Sequence, residues 1–83
     1  MKRQRRTLEQ LFEKPTRSDI KWDDVVSLIE HLGGTVKQGS GSRVRFILKG
    51  ESLVVHAPHP QKEINQPTVR DIKRFLSRVG EKP

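Results

Sequence analysis

The chain contains no cysteine. That excludes a disulfide framework, a thiolate nucleophile and a thiolate zinc site. No apolar run approaches the roughly 18–20 residues of a membrane-spanning helix. The basic N-terminus is not followed by the apolar core of a signal peptide, so a cytoplasmic protein without a membrane partner is expected. There is no P-loop and no Ser-His-Asp constellation. The three histidines, His31, His56 and His59, lack carboxylates at ligand spacing, so no metal site and no cofactor are expected. What remains is small and basic. Eighty-three residues make one domain, and a chain of this length buries only about 60% of its unfolded surface. Leu, Ile, Val and Phe make up 23 of the 83, above the roughly 20% that signals disorder, so a thin core is expected. The net charge of +7 is uneven. Residues 1–17 carry +4, residues 18–36 carry −3 and residues 37–83 carry +6. The hairpin and the C-terminal half are therefore electropositive, which suits a polyanion such as nucleic acid or a strongly acidic protein.

The most informative stretch runs from Gly41 to Pro60. Two segments rich in β-branched and aromatic residues flank Lys49-Gly50, which predicts a β-hairpin with a two-residue turn. That turn sets the register: Leu48 faces Glu51, Phe46 faces Leu53 and Val44 faces Val55 on the core side. The other face pairs Arg45 with Val54 and Arg43 with His56. A guanidinium and an imidazole then stand side by side toward solvent, with His59 just beyond.

The rest of the chain is read around this hairpin. Residues 1–17 are expected to be a basic tail through Arg6 and a short helix, with residues 18–83 forming the main domain. Thr7-Leu-Glu-Gln10 has the pattern of a capping box, with Thr7 as N-cap. Leu8, Leu11 and Phe12 form one apolar stripe that docks the short helix, and Pro15 ends it. The alternative is an arm that grips phosphates through Lys2, Arg3, Arg5 and Arg6. Between Ser18 and Gly33, Trp22, Val25, Val26, Leu28, Ile29 and Leu32 recur at helical spacing, with Trp22 as a core anchor and Asp23 and Asp24 favouring the helix N-terminus. Thr35–Gln38 is a first strand. The Gly39–Ser42 turn is either a connector or a backbone lying close to a phosphate. After the hairpin a proline-rich loop carries His59 and Lys62. Thr68-Val-Arg-Asp71 predicts a second cap. Val69, Ile72, Phe75, Leu76 and Val79 form the apolar face of a last helix, and Arg70, Arg74 and Arg78 form a cationic stripe four residues apart. The fold class is α+β, α-β-β-β-α with a short N-terminal helix in front. A three-stranded antiparallel sheet has two helices on one face, as in double-stranded-RNA-binding domains.

The segment Pro58-His-Pro-Gln-Lys-Glu-Ile-Asn-Gln-Pro-Thr-Val-Arg-Asp-Ile72 closely resembles the loop and second helix of HicA toxins. Their pattern runs Pro-His-Pro, two residues on a Lys, then Ile or Leu, then Thr-Val and a basic amphipathic helix. Gly41-Ser42 matches the Gly-Ser that opens the family's second strand, and Leu32-Gly-Gly34 fits the end of its first helix. The resemblance spans about residues 19–80. It implies the toxin half of a type II toxin–antitoxin pair, a fold like a double-stranded-RNA-binding domain, metal-independent cleavage of mRNA, and a HicB-type antitoxin as partner. One departure concerns catalysis. The family's Gly-Ser precedes a histidine taken to be catalytic; here that position is Arg43.

Metal-free RNA cleavage requires a proton to leave the 2′-hydroxyl, charge stabilisation on the phosphorane, and a proton for the leaving oxygen. Histidine, with an ordinary pKa near 6.5, suits the proton steps. Arginine forks onto phosphate oxygens and is a poor base. The candidate catalytic residues are therefore His56 for proton transfer, His59 as a second acid or phosphate contact, and Arg43 for the phosphate. Arg43, Arg45, Lys62, Arg70, Arg74 and Arg78 are the candidate RNA contacts. His56 as an ordinary strand histidine is the alternative. Two further readings stay open: an RNA-binding module without cleavage activity, and an inactive toxin homologue whose basic face meets an acidic antitoxin.

Overall fold

The structure, a computed structural model, describes residues 2–83; Met1 lies outside the described residues. Strands β2 (Arg43–Leu48) and β3 (Glu51–His56) form the expected hairpin. Arg43 pairs with His56, Val44 with Val55, Arg45 with Val54, Phe46 with Leu53 and Leu48 with Glu51, the register inferred from the turn. Lys49 at φ 51° and Gly50 at φ 79° are the two left-handed residues that a tight turn of this kind needs. Strand β1 (Thr35–Gln38) pairs antiparallel with the other edge of β2, giving the sheet order β1-β2-β3.

Val44, Phe46, Leu48 and Val55 line one sheet face and are buried. Helix α2 (Trp22–His31) meets them through Val25, Leu28 and Ile29. Helix α3 (Gln66–Arg78) does so through Val69, Ile72, Phe75 and Leu76. Trp22 is half-buried and stacks on Phe46 with ring centroids 5.6 Å apart, the anchoring role expected of it. No side chain caps α2. Its start is tied instead to the loop after β3: the Trp22 amide donates to the Lys62 carbonyl at 2.8 Å, and the Ile64 amide donates to the Ile20 carbonyl at 2.9 Å.

Two expectations about helix starts are corrected. The last helix begins at Gln66, ahead of the predicted cap at Thr68. Asn65 is the cap, its Oδ1 accepting from the Thr68 amide at 2.9 Å. Pro67 sits in the first turn, where a missing amide costs nothing. The second correction concerns the N-terminus. Residues 2–6 are not a tail ahead of the short helix but its first part; helix α1 spans Lys2–Leu11. Thr7 is inside it, 3% exposed, and its hydroxyl donates to the Arg3 carbonyl at 3.1 Å, so it caps nothing.

A ten-residue helix is marginal alone. Docking stabilises this one. Leu8 and Leu11 join the core, Arg3 Nη2 pairs with Asp24 Oδ1 at 2.7 Å, and Gln4 donates to Ser27 at 3.0 Å. The helix packs on α2 and, less extensively, on α3. Behind it, Arg17 bridges Glu13 at 3.1 Å and Asp19 at 2.8 Å. The hydrogen bonds from Arg17 hold the Asp19 carboxyl below its ordinary range. This contribution to stability is therefore present above the ordinary carboxylate range and fades as pH falls through the lowered value.

Helix α2 and the sheet approach closely at Gly34. A Cβ there would lie 2.8 Å from Ile29 Cγ2 and 2.8 Å from the Ile47 carbonyl oxygen. The second contact is backbone of the central strand and cannot rotate away. Gly34→Ala is expected to destabilise the fold by about 1–3 kcal/mol, the usual cost of overpacking, read as a lower urea midpoint at unchanged slope.

Candidate functional site

The second face of the sheet has no helix over it. Alternation along each strand decides what it carries. Pairing then arranges those residues in transverse rows. At one end, Arg43 stands beside His56, and the Gly39 amide donates to the Arg43 carbonyl at 2.8 Å. The middle row is Lys37, Arg45 and Val54. The third is Thr35, Ile47 and Ser52. Neighbours within a row are roughly 4.8 Å apart and successive rows about 6.7 Å, the spacings of an antiparallel sheet.

His56 is exposed at the end of β3. The Ala57 amide donates to the Ser42 carbonyl at 2.8 Å, extending the hairpin ladder by one bond. This holds Ser42 beside the imidazole, with Oγ 3.1 Å from His56 Nδ1. Nε2 is the ring nitrogen left for a ligand. Arg43, Arg45 and Lys37 are exposed. Among the described residues none of these three cations has an ion-pair or side-chain hydrogen-bond partner. With Gly39 and Val54 they line a shallow cleft of about 350 Å³. The juxtaposition of fixed cations, an oriented imidazole and an open floor suits a phosphodiester: guanidinium forks bind its oxygens, and the imidazole can move a proton.

The remaining candidate residues lie elsewhere. His59 is exposed in the loop three residues beyond His56, and no hydrogen bond joins it to His56 or Arg43 among the described residues. Lys62 is exposed on the same loop. Arg70, Arg74 and Arg78 project from α3, in the helical layer on the far side of the sheet from Arg43 and Arg45. Arg74 pairs with Asp71 at 3.6 Å. Arg78 reaches Glu51 at 3.4 Å and covers the Phe75 ring at 5.8 Å. Together with Lys49–Glu81 at 2.6 Å, this second pair fastens the hairpin tip to the end of α3. The candidate cations on α3 and the sheet cations thus form two separate surfaces.

Ser42, Lys37 and Val54 were not among the site residues that sequence reasoning selected. Extending the hairpin register to β1 would have found Lys37, because Lys37 falls opposite Arg45 once Thr35 is opposite Ile47. Among the described residues no three His, Cys, Asp or Glu side chains come together as a metal-binding group. No described helix is long and apolar enough to cross a membrane.

A comparison with known families matches residues 22–79 to the model described as HicA toxin of bacterial toxin–antitoxin. The matched region begins with α2 and ends just after α3, so α1 precedes it. No curated protein and no solved structure matches the chain.

Proposed function

Since this chain belongs to the HicA toxin family of bacterial toxin–antitoxin systems, we propose that it is a metal-independent endoribonuclease, with His56 as its proton-transfer group. The observation that carries the proposal is His56 beside Arg43 on the uncovered sheet face, held through Nδ1 by Ser42 at 3.1 Å. In this reading Nδ1–H donates to Ser42 Oγ, which leaves the Nε2 lone pair to take the proton of a ribose 2′-hydroxyl. The 2′-oxygen attacks the adjacent phosphorus. Arg43 neutralises the charge that builds on the non-bridging oxygens, and a protonated imidazole or water gives a proton to the 5′-oxygen as its bond to phosphorus breaks. The products are a 2′,3′-cyclic phosphate and a free 5′-hydroxyl. His59, in the adjoining loop, is the candidate second acid. The cellular setting is the cytoplasm, the substrate mRNA, and the natural inhibitor a HicB-type antitoxin. A basic face whose central cations carry no ion pairs suits both a polyanion and an acidic protein that would block it.

The test is incubation of the purified protein with single-stranded RNA in EDTA. Cyclic-phosphate ends are expected, and an intact substrate would remove the enzyme reading. A second reading is favoured by Arg43 itself, which stands where the family carries histidine. It is a toxin homologue that binds RNA or antitoxin without cutting. Intact RNA together with salt-sensitive binding would establish that reading in place of the first.

Ser42→Ala is expected to lower kcat about fivefold, the worth of one neutral hydrogen bond of ~1 kcal/mol, with KM little changed. Ser42→Thr, which keeps the hydroxyl, should restore most of the rate. Nitrogen-15 shifts of the His56 ring should show the loss of the fixed tautomer in Ser42→Ala alone.

A further inference from the structure

Val54 is the one large hydrophobic residue exposed among those described, at 50%. It sits on the open sheet face at the end of a row with Arg45 and Lys37. Its cross-strand neighbour is Arg45, and Lys37 completes the row. An apolar side chain here contributes nothing to the core, which lies on the other side of the sheet. A bare phosphate would have no use for it. A nucleotide presents an apolar face and an anion together.

We propose that the row Lys37–Arg45–Val54 is a nucleotide subsite, which receives the residue adjoining the cleaved phosphodiester of a single-stranded RNA and seats its base flat on Val54. This rests on the ribonuclease reading for the location of the cut but not for binding itself. The rows are separated by two residues along β2, about 6.7 Å, a step suited to successive phosphates of an extended strand. One phosphate is then bound at Arg43 and His56, and the next at Arg45 and Lys37. Gly39 and Ser40 line the same cleft as Arg43, Arg45 and Val54. The base above Val54 loses water on one face, and the Arg45 guanidinium can lie against it as it does against bases in other single-strand sites. A duplex cannot use this row in the same way. Its bases are stacked and paired, and only its phosphates would reach the cations.

Binding measured by fluorescence anisotropy on full-length protein carrying His56→Ala separates this subsite from catalysis. The probes are labelled octauridine, an abasic chain of equal length, and an RNA duplex. Val54→Ser is expected to weaken octauridine binding about fivefold, from the loss of roughly half a valine side chain of buried area. It should leave the abasic chain unchanged. Val54→Phe should tighten octauridine binding and likewise leave the abasic chain unchanged. Equal effects on base-bearing and abasic chains, no effect of either substitution on octauridine, or a duplex that responds as octauridine does would each overturn the subsite. Base-dependent responses at Val54 with no cleavage by the unsubstituted protein would support the subsite and remove only the catalytic reading. Failure of all three probes to bind would remove both.

Discussion

Replacing His56 by alanine is expected to lower the rate of RNA cleavage by about 10²–10⁴-fold, the range associated with a positioned general acid–base group. Among the described strand residues His56 is the one histidine. The row of His56 holds Arg43, which stays charged, and the next holds Lys37, Arg45 and Val54. The side chain is exposed, so the melting midpoint should hardly move. Initial rates on a labelled single-stranded RNA read the effect. Added imidazole should restore part of the lost rate, because it can diffuse into the space vacated at the strand end and carry the proton. A variant that cuts as fast as the parent protein would leave the proposed mechanism without its base. In that event His59 would be the next residue to substitute.

The second large effect is expected at Arg43. Arg43→Ala should reduce kcat by about 10²–10³-fold, comparable to removing one fixed donor from an oxyanion site. KM should rise much less. Arg45→Ala should do the opposite, raising KM while kcat stays within a few-fold. The difference follows from position. Arg43 lies beside the imidazole, where the phosphorane charge develops, whereas Arg45 is one row away and meets the RNA equally in the ground and transition states. Each substitution should also flatten the salt dependence of binding by roughly 0.7 in log–log slope, one counterion-releasing contact on a single strand. Equal losses in kcat from both changes would mean that the cut is not placed at the Arg43–His56 row. Arg43→His tests whether the base can sit on either strand. If an imidazole at position 43 is interchangeable with His56, the double change Arg43→His with His56→Ala should recover more activity than His56→Ala alone.

Arg43 and His56 stand directly opposite each other across the β2–β3 pair. Cross-strand neighbours on one face are as near to each other as two side chains on separate segments can be. Under the proposed function, an imidazole carried by either strand would therefore meet the same phosphodiester.

What the linear chain determined on its own was local. The turn residues Lys49-Gly50 set the hairpin register, and with it the pairing of Arg43 and His56. A two-residue loop allows a single alignment, and a slip by one would turn Phe46 and Val44 out of the core. The apolar spacing in α2 and α3 likewise specified which faces are buried, since 3.6-residue periodicity does not depend on distant partners. The Pro-His-Pro to Thr-Val segment was enough to suggest the family later matched over residues 22–79. Tertiary structure decided the rest. The docking stripe of Leu8 and Leu11 was legible in the sequence, but helix α1 reaches back to Lys2 only in the fold, where Arg3 pairs with Asp24 and Gln4 donates to Ser27. The cap of α3 moved to Asn65 because the loop delivers that side chain to the Thr68 amide. Arg70, Arg74 and Arg78 were separated from the sheet cations because a helix that buries Phe75 and Leu76 under the sheet must carry its charges on the far side. Ser42, Lys37 and Val54 joined the site only through pairing and packing across segments, where proximity comes from the folded chain and not from spacing along it.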